Sequence, residues 1–302
     1  MKKKLEKIAA GIFQQHGLRF EDAERAGGWT NAVWFNGDCV LRLSTEKGGD
    51  RIRCETEKCK MLPTAVGYPA NIAAGVTDGY EWALSKRVQG KTLSDVWENL
   101  NWTEKAETVK QVFQIIDSVH SVDIAKVENL TLRRAWYNAF DKNKSFADIE
   151  RYAEQNMFTA EQVRSLHDVL ERFYTWHISV TPVFNHGDIT MDNLIWHEVN
   201  VVSLLDFEHS VIAPPQLDLH SMVNEFISGN EAEREYIESI KDLYKALLSQ
   251  ESERDLLTGY SFLFYQHFFD SWLEEPEGEI EQCGAYQKLL SISNGRYLSE
   301  LL

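Results

Sequence analysis

Two polar segments, each joined to an apolar run, constrain this chain more than any other feature of its sequence. In the first segment, Asp188 is followed five residues later by Asn193, and an apolar run comes next. The second is the branched apolar run at residues 201–205, which ends at Asp206. Because only the short turn at residues 197–200 separates the two runs, they are predicted to pair as adjacent strands. An amide and a carboxylate should therefore lie at the same end of a β hairpin.

The spacing of Asp188 and Asn193 is typical of a kinase catalytic loop. In such a loop the Asp accepts the proton of the attacking hydroxyl and the Asn binds Mg²⁺. Asp206 begins the segment Asp206-Phe207-Glu208, where an Asp chelates the Mg²⁺ that bridges a triphosphate. The pattern thus indicates Asp188 as catalytic base and Asn193 and Asp206 as metal ligands. The alternative for the loop alone is a solvated polar turn.

At these motifs the sequence resembles the aminoglycoside phosphotransferase and choline kinase family, a branch of the protein-kinase-like fold. The resemblance implies direct, Mg²⁺-dependent transfer of a γ-phosphoryl group from ATP or GTP to a hydroxyl of a small molecule. His186 is expected to organise the loop, without a role in proton transfer. Asp218 is expected to bond donors near the loop, with metal ligation as the less favoured alternative. The matching segments lie in the family's order over roughly residues 20–225: His186-Gly187-Asp188 with Asn193, Leu205-Asp206-Phe207-Glu208, and Pro215-Gln216-Leu217-Asp218-Leu219.

The distribution of apolar residues predicts an α+β protein with two lobes. Residues 18–90 hold short β-type runs, with a hairpin signal at Asn36-Gly37-Asp38. Helical periodicity dominates after Gly90, with helix starts expected at Thr92 and Thr103. We therefore expect a protein-kinase-like fold. Its small N-terminal β-sheet lobe, residues 1–90, binds the nucleotide and ends at a hinge, and its larger, mainly helical C-terminal lobe, residues 91–302, holds the catalytic loop, metal site and acceptor pocket.

The resemblance extends to the first lobe at Gly27-Gly28-Trp29-Thr30-Asn31, between two predicted strands. This segment resembles the family's nucleotide loop, where small residues let backbone N–H groups approach phosphates. Gly28, Thr30 and Asn31 are therefore implied as nucleotide-binding positions. Without the resemblance, two adjacent glycines favour a plain hairpin turn.

Arg42 occupies the position of the third strand that contacts phosphates, by the same resemblance. Protein kinases have Lys there, but Arg is a permanent cation with several donors, so phosphate contact is retained. The matching acid on the following helix is expected to be Glu55, with Glu57 as the less favoured choice. Either carboxylate alone is also typical of a solvated surface charge.

The segment Ser85-Lys86-Arg87-Val88-Gln89-Gly90 resembles the hinge between the lobes, where backbone groups hold the nucleotide base. Ser85, Arg87 and Val88 are thereby implied as nucleotide-binding positions. Side chains at a hinge say little about the base, so ATP and GTP both remain open as phosphoryl donors.

Composition limits the partners. A formal net charge of −16 opposes binding to nucleic-acid phosphates and anionic lipid, and attracts cationic small molecules.

The basic N-terminus continues into an amphipathic pattern at Leu5, Ile8, Ala9 and Ile12, which predicts a packed helix and not a signal peptide. No run reaches the roughly 18 apolar residues of a membrane span. We expect a cytoplasmic protein with reduced cysteines and no nucleic-acid or membrane partner; its oligomeric state is open.

The acceptor is the least constrained part of the prediction. A C-terminal stretch combines aromatic and acidic residues that would suit a polyamine or a quaternary ammonium. It is equally typical of a helix with an aromatic core face and a solvated acidic end. Its members are Phe262, Phe264, Tyr265, His267, Phe268, Phe269, Asp270, Trp272, Glu274 and Glu275.

Three functions remain after these considerations. The preferred one is a kinase that phosphorylates a small substrate, with a cationic aminoglycoside-type antibiotic as the leading candidate. The first alternative is a housekeeping alcohol or sugar kinase of the choline kinase type. The second is a catalytically silent nucleotide-binding protein, which loss of Asp188, Asn193 or Asp206 would signal; all three residues are present.

Overall fold

The computed structural model of this chain describes residues 2–26, 31–127, 141–227 and 234–301. The strands are β1 (Glu24–Ala26), β2 (Asn31–Asn36), β3 (Cys39–Lys47), β4 (Asn71–Thr77), β5 (Tyr80–Lys86), β6 (Lys91–Thr92), β7 (Val183–Asn185), β8 (Leu194–His197), β9 (Asn200–Leu204) and β10 (Val211–Ala213). The helices are α1 (Lys2–Gln15), α2 (Arg51–Cys59), α3 (Leu93–Trp97), α4 (Trp102–His120), α5 (Ile124–Val127), α6 (Lys142–Glu154), α7 (Ala160–His177), α8 (Gln216–Phe226), α9 (Arg234–Leu247), α10 (Glu251–Glu274), α11 (Gly284–Ser293) and α12 (Tyr297–Leu301).

The chain divides into two compact units. The first comprises Met1–Asn99, Gln111–Arg133 and Met191–Ser210, and the second comprises Leu100–Lys110, Arg134–Thr190 and Val211–Leu302. Residues 191–210, which the sequence assigns to the C-terminal lobe, pack within the first unit. The lobe boundary at residue 90 stays a prediction.

The first unit is built on a five-stranded antiparallel sheet in the order β1-β2-β3-β5-β4. Its β2–β3 hairpin closes between the paired residues Asn36 and Cys39, with Gly37 at φ 55°. The hairpin signal in the sequence is thereby confirmed, because Gly adopts this left-handed conformation without a steric penalty.

Helix α1 covers the sheet of the first unit with its apolar side. Leu5, Ile8, Ala9 and Ile12 are all buried and share a core with Trp34 and other sheet residues. The helical spacing of these four residues correctly predicts this packing. Burial of their side chains, at about 25 cal/mol per Å² of apolar surface, stabilises the helix on the sheet.

A smaller sheet, β6-β8-β9, also belongs to the first unit. Strand β9 lies against Gly67, which has φ 68°. A Cβ atom added to Gly67 would lie 1.9 Å from the carbonyl oxygen of Val202. Only glycine therefore fits at this approach of two backbones, immediately before Tyr68.

The second unit contains most of the helices and the antiparallel pair β7–β10, in which Asn185 faces Val211. Its helices pack around buried aromatic rings such as Phe173 and Tyr260, whose centroids lie 5.0 Å apart. The predicted start of α4 at Thr103 is wrong. The side chain of Asn101 accepts the amide hydrogens of Thr103 and Glu104, so the helix begins earlier.

The predicted α+β class is confirmed, because an antiparallel sheet in the N-terminal part precedes a mainly helical remainder. Across the described ranges, no helix combines the length and hydropathy needed to cross a membrane. The four cysteines, all of which the structure describes, are free thiols, in agreement with the sequence prediction.

Candidate active site

The β8–β9 hairpin brings Asn193 and Asp206 to the same end of two paired strands. Leu194 pairs with Leu204, and the amide of Leu205 donates to the carbonyl of Asn193 at 2.8 Å. Asn193 directly precedes β8 and Asp206 follows β9 by two residues. Both residues line one cavity of the first unit, which is the juxtaposition that the short turn predicts.

Arg42 and Glu55 form a buried ion pair, with Nη1 of Arg42 2.9 Å from Oε2 of Glu55. Burial opposes the charge of Arg42, but Glu55, Tyr68 and Asp206 raise the pKa of this guanidinium well above its ordinary value. Glu57 instead pairs with Lys60 on the surface. The structure therefore places Glu55, and not Glu57, beside Arg42.

Tyr68 completes a triangle with this ion pair. Its hydroxyl donates to Oε1 of Glu55 at 2.7 Å and accepts from Nη2 of Arg42 at 3.2 Å. Burial, reinforced by the negative charge of Glu55, raises the pKa of Tyr68 well above its usual range. The phenol is therefore a stable donor that holds the carboxylate of Glu55 towards Arg42.

Helix α2 also contacts the segment that carries Asp206. Oε1 of Glu55 accepts the amide hydrogen of Phe207 at 3.3 Å. The ammonium of Lys58 donates to the carbonyl oxygens of Phe207 at 2.9 Å and Glu208 at 3.4 Å. Arg51 lies 3.3 Å from the carboxylate of Glu208. One helix thus binds both Arg42 and the backbone next to Asp206.

The carboxylate of Asp206 lies in an environment that disfavours its negative charge unless a cation binds beside it. Burial, followed by repulsion from Glu55, raises its pKa to about 7, although Arg42 opposes the shift. Within the described part of the chain, its Oδ1 atom is buried without a hydrogen-bond partner. A buried, unsatisfied oxygen is costly unless a ligand reaches it. A divalent cation therefore fits this position.

The donor set suits Mg²⁺ in particular. One carboxylate and one amide are too few to hold a metal ion alone. Mg²⁺ is commonly bound by one or two protein oxygens together with substrate phosphates and water. Asn193 and Asp206 could hold such an ion, with phosphates as the remaining ligands.

The cavity that these residues line has a volume of about 440 Å³, a size typical of small-molecule sites. Ser85, Arg87 and Val88 of the predicted hinge lie on its wall together with Arg42. Its apolar lining can enclose a planar base and its polar end can hold phosphates. The apolar residues are Val33, Phe35, Val40, Pro69, Val88, Ile195 and Leu205.

The hinge uses part of its backbone within the protein. The amide of Lys86 donates to Ala70 at 2.9 Å, and that of Arg87 donates to Asp38 at 2.8 Å. The guanidinium of Arg87 stacks over the ring of Phe35, 4.4 Å from its centroid. The amides of residues 86 and 87 are thus committed to the protein, and are not donors for a base.

The nucleotide loop is only partly described. Gly28 and Thr30 lie outside the described residues, as do Gly27 and Trp29. Asn31 is the first residue of β2, and its side-chain oxygen accepts from Arg51 at 2.8 Å. Asn31 is therefore bound to α2 at the point where the loop enters the sheet.

Asp188 belongs to the second unit, on the loop that follows β7. The carboxylate of Asp218 accepts the amide hydrogens of His186 at 2.9 Å and Gly187 at 2.8 Å. The amide of Asp188 donates to Nδ1 of His186 at 3.2 Å. Gly187 has φ 84°, a conformation that favours glycine. Asp218 and His186 therefore organise this loop, as the sequence indicates, and Asp188 remains half-buried.

Part of the aromatic and acidic stretch at residues 262–275 is structural. Phe262 and Phe269 are buried in the core. Asp270 accepts from Arg151 and from Tyr152, both at 2.5 Å, and Lys144 lies 3.5 Å away. Its charge is thus already paired within the second unit, which favours the reading of this stretch as a core helix with a polar end.

Sequence reasoning missed three residues near the candidate site: Arg51, Lys58 and Tyr68. Arg51 lies four residues before Glu55 and Lys58 lies three residues after it, a spacing that places helical side chains on one face. That spacing is the one signal that pointed to them. Tyr68 lies in an irregular segment, and no local sequence pattern predicts where such a segment lies in the fold.

This geometry agrees with the comparisons with known proteins. Residues 23–254 match the model of the phosphotransferase enzyme family, and the chain therefore belongs to that family and is a phosphotransferase. The chain is also similar to an aminoglycoside 3'-phosphotransferase from Escherichia coli, with 23% identity over 209 residues, which cover 64% of this chain and 74% of that protein.

Two solved structures share the fold. A GDP complex of aminoglycoside 2'-phosphotransferase-IIIa is 14% identical, covers 98% of this chain and 99% of its own, and has a TM-score of 0.65. A ternary complex of aminoglycoside phosphotransferase APH(4)-Ia with ADP and hygromycin B is 15% identical to this chain and has a TM-score of 0.60. The match covers 97% of this chain and 98% of the other. These similarities confirm the kinase-like fold that the sequence resemblance implies.

Proposed function

We propose that this protein transfers the γ-phosphoryl group of ATP or GTP, with Mg²⁺, to a hydroxyl of an aminoglycoside. The observation that carries the proposal is the cavity of the first unit, where Arg42, Asn193 and Asp206 share a wall with apolar residues. Membership of the phosphotransferase family and the similarity to aminoglycoside phosphotransferases support it.

In the proposed complex, the apolar lining encloses the base and Arg42 contacts the phosphates. Glu55 and Tyr68 hold the guanidinium of Arg42 in place, so little ordering remains when the nucleotide binds. Asn193 and Asp206 are the proposed ligands of Mg²⁺. When bound, this ion would neutralise charge that develops on the phosphates.

Asp188 is the proposed catalytic base. It would orient the acceptor hydroxyl and take its proton as the phosphoryl group is transferred directly, without a phosphoenzyme. Asp218 fixes the backbone before Asp188 through two hydrogen bonds. This support reduces the motion of the carboxylate, and positioning is the main source of catalysis in phosphoryl transfer.

The acceptor is proposed from the relatives and from charge. Aminoglycosides are polycations, and a net charge of −16 attracts cations towards the protein. Phosphorylation of such a compound would serve antibiotic resistance, and we place the reaction in the cytoplasm, where the nucleotides are. The nucleotide would bind in the lobe of residues 1–90, and residues 91–302 would carry the acceptor pocket.

The test is a turnover screen with the purified protein. Aminoglycosides, choline, ethanolamine, homoserine and ketosamines are offered with ATP or GTP, with and without Mg²⁺, and phosphorylated products are identified by mass spectrometry. We expect phosphorylation of an aminoglycoside that requires Mg²⁺ and is absent in Asp188→Asn. Phosphorylation of choline or a ketosamine alone would replace the proposal with a housekeeping kinase. Nucleotide binding without any product would indicate a silent relative.

A further inference from the structure

One face of α2 is directed at the segment Asp206-Phe207-Glu208. Arg51 pairs with the carboxylate of Glu208, and Glu55 accepts from the amide of Phe207. Lys58 donates to the carbonyl oxygens of Phe207 and Glu208. Residues 51, 55 and 58 recur at helical spacing and so lie on one side of the helix. The contact between α2 and this segment is therefore a continuous set of charged interactions, all within the first unit.

Lys58 stands out in this set because of its burial. Its relative exposure is 1%, and lysine is rarely buried so completely unless its ammonium is well paired. Its acceptors are the main-chain oxygens of Phe207 and Glu208. A buried ammonium that is committed to backbone carbonyls fixes the course of that backbone more than a surface ion pair would.

Glu55 and Lys58 together hold both polar groups of the Phe207 backbone. Glu55 accepts its N–H at 3.3 Å, and Lys58 binds its carbonyl at 2.9 Å. The N–H of Phe207 belongs to the peptide bond that it shares with Asp206. Glu55 thus restricts rotation about the bond that follows the Cα atom of Asp206, and Lys58 fixes the peptide group that comes next.

Asp206 needs this restriction because of its own conformation. Its φ of 62° and ψ of 68° lie in the left-handed region, which costs a non-glycine residue roughly 1 kcal/mol or more. The direction of the Asp206 carboxylate depends on this backbone state. If the state relaxes, the carboxylate no longer faces the cavity that it lines with Asn193.

The geometry points to Lys58 as a positioning residue that holds the backbone of residues 206–208 so that the carboxylate of Asp206 is ready to bind Mg²⁺. This inference rests on the proposed function, since it takes Asp206 as a ligand of the metal ion. Lys58 itself does not line the cavity that Asn193 and Asp206 share. Its effect should therefore appear in the metal dependence of binding and turnover, and not in the affinity for the acceptor.

The experiment compares the wild type with Lys58→Met, which keeps the length of the side chain but removes the donor, and with Lys58→Gln, which keeps a neutral, shorter donor. Lys60→Met is the matched control, because Lys60 lies near the end of the same helix and pairs only at the surface with Glu57. Calorimetry measures ATP affinity as a function of Mg²⁺ concentration. Steady-state kinetics gives kcat and KM for the aminoglycoside, and circular dichroism reports the fold.

We expect Lys58→Met to raise the Mg²⁺ concentration at half-saturation by about 10–100-fold, the usual effect of removing a residue that orients a metal ligand. The KM for the acceptor should stay within about twofold. The Mg²⁺ concentration at half-saturation of Lys58→Gln should lie between those of the wild type and Lys58→Met. Lys60→Met should match the wild type.

A folded Lys58→Met with the Mg²⁺ dependence of Lys60→Met would overturn the inference, even if its stability were lower. Should Lys58→Met fail to fold, Lys58→Gln decides, and an unchanged Mg²⁺ dependence in that variant would again overturn it. If wild-type protein binds ATP equally well with and without Mg²⁺, the metal assignment of Asp206 itself fails. That result is distinct from a failure of Lys58 alone, in which the wild type keeps its Mg²⁺ dependence.

Discussion

Tyr68 donates its hydroxyl hydrogen to Glu55 at 2.7 Å, on the same carboxylate that pairs with Arg42. The ring of Tyr68 also meets that of Phe207 edge to face, with centroids 5.6 Å apart. One side chain thus contacts both the ion pair of Arg42 with Glu55 and the residue that follows Asp206. Removing only its hydroxyl tests the first of these contacts and leaves the second in place.

Tyr68→Phe is expected to weaken ATP affinity by roughly 3–30-fold, because a hydrogen bond to a charged group contributes about 1.5–3 kcal/mol, part of which reaches the nucleotide. Calorimetry with Mg²⁺ and ATP measures the change. Tyr286→Phe is the matched control, since its hydroxyl donates to a neutral carbonyl in the second unit. Equal ATP affinity in both variants would show that Tyr68 does not support Arg42.

Arg42→Ala should weaken Mg·ATP binding and lower kcat together, by about 30-fold or more, because it removes one partner of a buried charge pair. Arg42→Lys should be less harmful without restoring full activity, since an ammonium cannot reproduce a forked contact. Glu55→Ala should resemble a milder Arg42→Ala.

The double variant Arg42→Ala/Glu55→Ala distinguishes a unit from two independent residues. We expect its loss in kcat/KM to be clearly smaller than the product of the single losses, because residues that act together are not additive. Simple additivity would contradict the assignment of the two as partners.

Asp206 gives a pH dependence whose sign follows from its pKa of about 7. Below that pH the carboxyl binds a proton, which competes with Mg²⁺, so the Mg²⁺ concentration at half-saturation should rise as the pH falls from 8 to 6. Mg²⁺ titrations at several pH values measure this. Asp206→Asn should bind Mg·ATP weakly throughout this range and show little pH dependence.

The same pKa has the opposite consequence for stability without metal. The pKa of Asp206 in the folded state lies above the ordinary value of an aspartate, so the folded state binds the proton more tightly than the unfolded chain. The free energy of unfolding should therefore fall as the pH rises from about 4 to 7. At pH 8 without Mg²⁺, Asp206→Asn should have a higher Tm than the wild type; an equal or lower Tm would contradict the burial of an ionised Asp206.

Asp188→Asn should lower kcat by about 100-fold or more while ATP affinity stays nearly intact, because the change removes a proton acceptor and no phosphate ligand. Asp192→Asn is the control, since Asp192 is an exposed acid on the same stretch, hydrogen-bonded to Ser94. Rapid-quench kinetics and calorimetry separate the two effects. Retention of more than about a tenth of the wild-type kcat would exclude Asp188 as the base.

The sequence was most informative where function depends on short-range geometry. The turn at residues 197–200 is enough to predict that Asn193 and Asp206 lie at one end of a hairpin, because strand pairing across a tight turn leaves little choice. Periodicity likewise placed Leu5 and Ile8 of α1 in the core. Such features follow from neighbouring residues and need no knowledge of the whole fold.

Features that depend on tertiary packing were less accessible. Glu55 and Glu57 lie on the same helix, and only its rotation against the sheet decides which of them meets Arg42. Tyr68 reaches Glu55 from an irregular segment, and Lys58 reads in the sequence as an ordinary solvated lysine. The interactions of these two residues arise between segments distant in sequence, where local propensity carries no information.

Gly67 makes the proposed metal site and the proposed phosphate site of the first unit structurally dependent on one another. It fits against the backbone of β9 with no room for a methyl group, and it directly precedes Tyr68. A side chain at this position would separate the strand that leads to Asp206 from the tyrosine that supports Arg42. A single substitution would thus alter metal and phosphate affinity at once, so variation that retunes the affinity for one must arise elsewhere in the unit.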